Sequence, residues 1–361
     1  MNILYISKLT GNLFAGPNNS VPAQVRAQAQ YDNVLWYNLN DIKRPEWTQN
    51  GLDCKNLTDY PSGRLKDLPP PFNHPDLAVI EELYCFPFCD LIHDFQKEKI
   101  PYVIIPRSAM TAQGQKKRPL KKIAGNLLYF NRMIRKAAAV QYLTEEEQSE
   151  SCDQWKVRSF VIPNGAAKQP KQRTEFCKNG IQSTYVGRYE IYQKGLDLML
   201  SAIGAEQETL RSSGFVLNMY GPDQENTLAE LNRLIAEHGI GDIVRISGSV
   251  FGEDKRQVLL DTDVFIMTSR FEGLPMGMIE ALAYGLPVVA TLGTNLSDEV
   301  CKYGAGWTAE NDVGSIRRAL RNMVKDRESF AETGKNALRL ADTYSWDEIA
   351  KRSHEMYLQL L

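Results

Sequence analysis

Two glutamates separated by seven residues, Glu272 and Glu280, have the spacing in this sequence that most strongly suggests chemistry. An ionised carboxylate only accepts hydrogen bonds, so the pair suits sugar or ribose hydroxyls, whereas a phosphate would be repelled. A solvated loop glutamate and a surface helix glutamate are the alternative interpretation. The surrounding pattern favours the functional one. Its small and rigid residues are Gly273, Pro275, Gly277, Ala281, Gly285 and Pro287.

The segment around these glutamates predicts a strand, a loop, a helix and a second strand. Residues 263–267 form an apolar, partly β-branched run without alternation, which is typical of a buried strand. Pro275 suits the first turn of a helix over residues 276–284, because its missing N–H costs nothing there. A glycine and a proline then end the helix before the next strand. The helix start should present unbonded N–H groups and a positive dipole end at residues 276–278, which predicts a phosphate site.

Two cations in the C-terminal half could hold a diphosphate. Arg188 follows a predicted strand over residues 182–186, and Lys194 comes six residues later, at the expected start of the next helix. Arginine can bind phosphate oxygens through two parallel hydrogen bonds, and lysine acts as a point charge. Taken alone, the two could be surface cations in salt bridges. Their coincidence with the glutamate pattern favours diphosphate binding.

These segments resemble one known family. The stretch SRFEGLPMGMIEALAYGLPVVA is similar to the E-x7-E signature of family 4 glycosyltransferases, and YVGRYEIYQKGLDLML is similar to that family's G-R-x5-K-G segment. The resemblance implies a retaining enzyme that uses a nucleotide-diphosphate sugar. It also implies an α/β protein of two Rossmann-like doubly wound domains facing each other across a cleft, the GT-B fold. The likeness is close in the C-terminal half and looser in the N-terminal half.

The resemblance gives a role to each of these residues. Glu272, Arg188 and Lys194 would be catalytic: Glu272 would hold the donor sugar hydroxyls, and the two cations would neutralise the leaving diphosphate. Glu280 would hold the nucleotide ribose. The residues implied in donor binding are Gly187, Gly273, Leu274, Pro275, Met276, Gly277, Glu280, Ser249 and Val250. The leaving phosphate itself would take the acceptor proton, so neither an obligatory cofactor nor a metal ion is implied.

The N-terminal half begins with a strand over residues 2–7, a glycine-containing loop, a helix over about 21–30 and a second strand, which indicates a doubly wound domain. The loop lacks the G-x-G-x-x-G pattern of dinucleotide sites. In the resembled family this loop lies near the donor diphosphate and the acceptor, so Gly16 and Asn18 are candidates, with an ordinary turn as the alternative. Arg107 follows the strand PYVII in the segment PRSAM, which resembles the family's P-[HR]-G-M. It could contact phosphate or acceptor, or solvate a loop, but it stays protonated and cannot act as a base.

Three parts of the chain are expected. Residues 1–165 should form an acceptor-binding Rossmann-like domain, and residues 166–343 a nucleotide-sugar-binding one. The polar, lysine-rich stretch over residues 166–180 is typical of a linker. Residues 344–361 should form a helix that, in the resembled fold, crosses back to the N-terminal domain.

The composition implies no global polyelectrolyte partner. The 361 residues include 42 lysines and arginines against 44 aspartates and glutamates, a formal charge of −2, which argues against nucleic acid. The six cysteines form no C-x-x-C pair, so we expect reduced thiols in a cytoplasmic protein. No apolar run reaches the ~18 residues of a transmembrane helix. The N-terminus enters a strand pattern directly, so no signal peptide is expected.

A basic, amphipathic segment is the other notable feature. Residues 99–144 contain ten lysines and arginines and no acidic residue, and apolar residues recur at near-helical spacing from Leu120. Residues 116–136 are therefore predicted to contact an anionic membrane surface, with a core-packed helix carrying a solvated basic face as the alternative. A peripheral position on the inner face of the plasma membrane would suit a membrane-held, polyprenyl-linked acceptor.

The sequence thus predicts a hexosyl- or related glycosyltransferase that transfers a sugar to a glycan or lipid-linked acceptor. The resemblance suggests capsule, O-antigen or exopolysaccharide assembly. Three alternatives stay open. A nucleotide-sugar epimerase of the same fold would need acid/base groups and is disfavoured by the four histidines. A phosphorylase-like enzyme would need a pyridoxal lysine and a longer chain. A non-catalytic partner subunit would not need the intact charged residues.

Overall fold

The computed structural model describes residues 1–12, 16–48, 52–85, 88–116, 119–178, 180–223 and 227–361. Contacts within the chain divide it into two units. The first unit comprises Met1–Gly165 and Trp346–Leu361, and the second comprises Ala166–Ser345.

Among its described residues, the first unit contains a sheet of seven parallel strands in the order β3-β2-β1-β4-β5-β6-β7. The strands are β1 (Asn2–Ser7), β2 (Asn33–Asn38), β3 (Cys54–Asn56), β4 (Leu77–Glu81), β5 (Tyr102–Ile105), β6 (Ala139–Tyr142) and β7 (Ser159–Val161). All of β4 and β5 is buried, as their unbroken apolar runs predict for strands covered on both faces. The strand order reverses between β1 and β4, where doubly wound sheets bind ligands.

The helices of the first unit flank this sheet. They are α1 (Pro17–Gln28), α2 (Phe88–Glu98), α3 (Ala112–Lys116), α4 (Pro119–Gly125), α5 (Asn131–Arg135) and α6 (Glu145–Trp155). A π-helical turn, Asn126–Phe130, joins α4 to α5. The expected helix over 21–30 begins four residues earlier than predicted, because Pro17 already suits a first helical position.

The second unit repeats the same construction. In its described part, six parallel strands lie in the order β10-β9-β8-β11-β12-β13. They are β8 (Gln182–Val186), β9 (Val216–Tyr220), β10 (Val244–Ser247), β11 (Val264–Met267), β12 (Val288–Thr291) and β13 (Gly306–Ala309). The order reverses between β8 and β11, so the carboxyl ends of these two strands border the crevice expected to bind ligand.

Nine further helices surround the second sheet in the part of the chain that the structure describes. They are α7 (Ile191–Lys194), α8 (Leu196–Ala205), α9 (Gln207–Ser212), α10 (Thr227–Glu237), α11 (Gly252–Leu260), α12 (Met276–Ala283), α13 (Ser297–Tyr303), α14 (Val313–Lys325) and α15 (Phe330–Asp342). The chain then continues into α16 (Trp346–Leu358), which belongs to the first unit. There Tyr357 donates a hydrogen bond to Gln141 of β6 at 2.8 Å.

Candidate functional site

The motif residues of the second unit gather where its strand order reverses. Gly187 and Arg188 follow β8 directly, and the loop over residues 268–275 follows β11 and leads into α12. The two strands are hydrogen-bonded neighbours, with Val264 opposite Ser183. Both loops therefore lie at the same edge of the sheet, on either side of the crevice that open α/β sheets use for ligands.

The closest approach among the predicted residues is an ion pair. The Lys194 Nζ atom lies 2.6 Å from Glu272 Oε1, and the Ser269 hydroxyl donates to the same oxygen at 2.6 Å. The two charged side chains are only 12% and 9% exposed. Within the described residues, Glu272 Oε2 has no hydrogen-bond partner, so that oxygen can accept from a hydroxyl.

A glycine explains how Lys194 reaches the loop. The lysine was predicted at the start of a helix, but it is the last residue of α7, and α8 begins two residues later. Between them Gly195 has φ +59°, and a Cβ atom there would lie 2.0 Å from the carbonyl oxygen of Thr268. The Thr268 hydroxyl donates to the Gly195 carbonyl at 3.0 Å. Only glycine permits this contact, which brings the lysine beside the end of β11.

Further side chains, which the sequence analysis missed, fix the loop that carries Glu272. Arg270 binds both carboxylate oxygens of Asp197 on α8 at 2.7 Å and donates to the Tyr192 carbonyl at 2.8 Å. Asn295, in the left-handed conformation, donates from its side chain to the Glu272 carbonyl. Asn295 has one sequence signal, since asparagine tolerates this conformation better than other non-glycine residues.

The start of α12 corrects one expectation. Three unbonded N–H groups were predicted at residues 276–278, but Met276 donates to the Leu274 carbonyl and Met278 to the Pro275 carbonyl, both at 2.9 Å. In the described structure only the Gly277 N–H of these three lacks a backbone partner. A short turn of i→i+2 and i→i+3 bonds thus satisfies two of the donors that a regular helix start would leave open.

The remaining donor-site candidates are spread around this centre. Glu280 on α12 pairs with Lys255 of α11, and the two side chains are 31% and 25% exposed. Arg188 is half exposed and lies 3.4 Å from Glu190. Ser249 is exposed and Val250 half-buried after β10, two strands away from β8. Gly273 is exposed and a Cβ atom there would meet nothing within 4 Å.

The first-unit candidates have structural partners. The Asn18 side chain, 4% exposed, accepts from the Gly11 N–H at 2.8 Å and so closes the loop after β1. Gly16 is exposed at the start of α1. Arg107 is not the solvated loop arginine of the alternative interpretation: its side chain is 9% exposed and pairs with the fully buried Glu81. The Arg107 Nε and Nη2 atoms lie 2.9 and 2.8 Å from Glu81 Oε2.

The basic segment, residues 116–136, exposes several apolar side chains as well as charged ones. Leu120, Ile123, Leu127 and Leu128 are 81%, 64%, 79% and 82% exposed, whereas Phe130, Met133 and Ile134 are buried. The alternative, a core-packed helix with a solvated basic face, does not fit the exposed apolar side chains of its N-terminal turns. Two of the predicted basic residues, Lys117 and Arg118, lie outside the described residues.

Neither a membrane-spanning helix nor a metal-binding cluster is found among the described residues. Among the described residues, no helix is both long and apolar enough to span a bilayer. In the same part of the chain, histidine, cysteine, aspartate and glutamate side chains form no group of three that could hold a metal ion.

The fold is that of the GT-B glycosyltransferases. The chain matches Anabaena HepE, solved in complex with UDP and glucose, with a TM-score of 0.68 and 17% sequence identity. The match covers 99% of this chain and 100% of HepE. At this identity the likeness shows the fold alone.

Sequence comparison matches part of the second unit to a family model. Residues 168–340 match the family described as Glycosyl transferases group 1. A D-inositol 3-phosphate glycosyltransferase of Streptomyces avermitilis is 30% identical over 171 residues, 45% of this chain and 37% of that protein. A putative colanic acid biosynthesis glycosyltransferase of Escherichia coli K12 is 28% identical over 139 residues, 36% of this chain and 34% of that protein. The matches thus span little more than a third of these relatives.

Proposed function

We propose that this protein is a retaining glycosyltransferase that moves a hexosyl or related sugar from a nucleotide-diphosphate sugar to an acceptor hydroxyl. The observation that carries the proposal is the buried Lys194–Glu272 pair at the switch point of the second unit. It lies inside the stretch that matches group 1 glycosyltransferases. The second unit would bind the donor and the first unit the acceptor.

Each charged group has a defined task in this proposal. Lys194 and the half-exposed Arg188 stabilise the negative charge that grows on the leaving diphosphate as the glycosidic bond breaks. The Gly277 N–H adds a donor at the start of α12. Glu272 holds a donor sugar hydroxyl through its open oxygen, and Glu280 accepts from the ribose. The departing phosphate oxygen takes the acceptor proton, so no side chain needs to act as a base.

The donor half is tested by nucleotide binding. A panel of nucleoside diphosphates and their sugars is screened by thermal shift, and one base should raise the melting temperature, with the shift lost in Glu280→Ala. Lys194→Ala should lower transfer by about 10²–10³-fold, the usual cost of removing one oxyanion donor. An unchanged transfer rate would contradict the assignment of Lys194. Product analysis separates transfer from epimerisation, and absence of nucleotide binding would favour a non-catalytic partner subunit.

We further propose a lipid-linked or polysaccharide acceptor at the cytoplasmic face of the plasma membrane, in surface-polysaccharide assembly. The support is the apolar stripe of α4 and the following π turn, bordered by Lys121 and Arg132, together with the colanic acid relative. Burying an exposed leucine in a bilayer is favourable by about 1.5–3 kcal/mol. Each nearby basic residue contributes about 1 kcal/mol of further attraction to an anionic surface.

Vesicle sedimentation tests this surface. The full chain should bind vesicles containing phosphatidylglycerol more tightly than pure phosphatidylcholine, and Leu127→Glu/Leu128→Glu should weaken binding at least tenfold. Leu358→Glu is the matched control, because Leu358 is a half-exposed leucine on α16 of the same unit. Equal binding by the double variant and the wild type would contradict membrane contact.

A further inference from the structure

Glu82 lies at the edge of the first-unit sheet where doubly wound sheets bind ligands, and no sequence motif singles it out. It directly follows β4, beside the point where the strand order reverses between β1 and β4. Its φ of +78° is in the left-handed region, which non-glycine residues seldom adopt. Its N–H donates to the Ile105 carbonyl at 2.9 Å, so the end of β5 fixes this conformation. Such backbone strain concentrates at functional sites.

The Glu82 carboxylate is partly buried and uncommitted. Within the described residues the half-buried Glu82 side chain makes no hydrogen bond or ion pair. Burial raises its pKa, the nearby Arg107 guanidinium opposes that rise, and the Glu81 carboxylate adds to it. A half-buried carboxylate without a partner is available to accept hydrogen bonds from a ligand.

The cation beside it is already engaged. Arg107 binds Oε2 of Glu81 through two nitrogens, at 2.9 and 2.8 Å, and also donates to the Ser20 hydroxyl at 3.1 Å. The other oxygen of Glu81 is buried and has no partner in the described structure. Glu147, also buried, accepts from the Leu143 N–H at 2.9 Å and from the Ser108 N–H.

The local charge therefore favours a neutral ligand. Glu81 pairs with the Arg107 guanidinium, Glu82 is the next residue in the chain, and Glu147 accepts from the N–H of Ser108, which follows Arg107. Three carboxyl groups thus accompany one guanidinium among these residues. An incoming phosphate would face this excess of negative charge in a partly buried place, where charges interact more strongly than in water. A sugar hydroxyl would instead donate to a carboxylate oxygen without that cost.

We propose that Glu82 binds the acceptor: its carboxylate accepts a hydrogen bond from a hydroxyl of an uncharged sugar, and the first-unit site selects neutral sugars over phosphorylated ones. This inference rests on the proposed glycosyltransferase function and specifies the acceptor class. Arg107 then serves as a positioning residue that is held by Glu81, rather than as a phosphate clamp.

Acceptor binding can be measured without the donor. Saturation-transfer NMR on the full chain is run with a panel of p-nitrophenyl hexosides, with free hexoses and with the matching hexose 6-phosphates. The wild type should bind at least one neutral sugar and bind its 6-phosphate at least about tenfold more weakly. In Glu82→Gln the affinity for the neutral sugar should fall about tenfold to a hundredfold, as expected for a lost hydrogen bond to a charged group. The ratio between the affinities for the neutral sugar and for its 6-phosphate should become smaller in this variant.

Two controls separate this effect from damage to the fold and from failure of the donor site. Glu98→Gln changes an exposed glutamate of the same unit and should bind as the wild type does. The melting temperature of Glu82→Gln should equal or exceed that of the wild type, because a like-charged neighbour of Glu81 is removed. Nucleotide thermal shifts of the same variants report on the donor site in the second unit, so their loss would reject the proposed function separately.

Three results would overturn the inference. They are unchanged sugar affinity in Glu82→Gln, tighter binding of a 6-phosphate than of its neutral sugar, and no neutral sugar bound by the wild type.

Discussion

Removing the ammonium group of Lys194 should destabilise the second unit, because the buried Glu272 carboxylate would lose its charged partner. Over 2.6 Å the attraction is about 6 kcal/mol gross at an effective dielectric constant of about 20, and the cost of burying both charges offsets much of it. Loss of one member of a buried pair typically costs about 3–5 kcal/mol. We expect the lower end, about 3 kcal/mol, because the Ser269 hydroxyl still donates to Glu272.

The assay is a double-mutant cycle of Lys194→Met, Glu272→Gln and the double variant. Stability is followed by scanning calorimetry, and hydrogen exchange in peptides from β8 and β11 assigns the change to the second unit. For a unit of this size, about 3 kcal/mol corresponds to a fall of roughly 6–12 °C in melting temperature. The double variant should recover much of this loss, because it contains neither buried charge, but it should not recover transfer activity.

A matched control is Lys178→Met, which breaks the pair of Lys178 and Glu175 in the same unit. Those side chains are 63% and 67% exposed, so the expected change is within about 0.5 kcal/mol. The reasoning would be refuted if Lys194→Met were as stable as the wild type. It would equally be refuted if the two single changes added without coupling in the double variant.

Three further outcomes follow from the geometry. Gly195→Ala should lower the free energy of unfolding, measured by chemical denaturation, by at least about 2 kcal/mol. Gly195 is in the left-handed conformation, and the added methyl group would collide with a backbone carbonyl. The control Gly273→Ala should leave stability unchanged, and its donor affinity will show whether a ligand packs against Gly273. Arg107→Met should cost about 3–5 kcal/mol in the same assay by leaving its buried glutamate partner unpaired, and a neutral effect would contradict the buried pair. Hydrogen bonding from Arg321 is the main cause that lowers the pKa of Glu206 to about 2, below its ordinary value of 4.5. The stabilisation is therefore fully present above about pH 4.5 and is lost as pH falls toward 2. Glu206→Gln should lower the free energy of unfolding by about 1–2 kcal/mol at pH 7. This value allows for solvent screening of Arg321, which is 41% exposed. In thermal melts the stability difference between the wild type and the variant should shrink below about pH 4.

Local patterns were sufficient for most of the secondary structure. The strands Asn2–Ser7 and Gln182–Val186 have the predicted bounds. Buried strands of a parallel sheet are continuous apolar runs, and the glycines and prolines that end them act through their own backbone, so both signals lie within a few residues. The alternation of such strands with helices also indicated the α/β class. The likeness to GT-B proteins came from the motif segments around Glu272 and Lys194.

The sequence also located the segment proposed to bind the donor, but it did not determine which residues contact each other there. Lys194 and Glu272 are 78 residues apart, and their contact depends on the left-handed turn at Gly195 and on the pairing of β8 with β11. The sequence likewise did not predict that Met276 and Met278 would donate backbone hydrogen bonds at the start of α12. A short turn and a regular helix start differ little in free energy, so the local sequence does not decide between them.

Burial is the other property that only the tertiary structure decided. Arginine is usually a surface residue, yet the Arg107 side chain is only 9% exposed and is paired with Glu81. Leucine is usually a core residue, yet Leu127 is exposed. Periodicity shows that a helix has two faces, but what packs on each face depends on elements distant in the chain. The same holds for Glu82: its place near Arg107 comes from the end of β4 lying next to the end of β5, a neighbourhood that sheet topology creates.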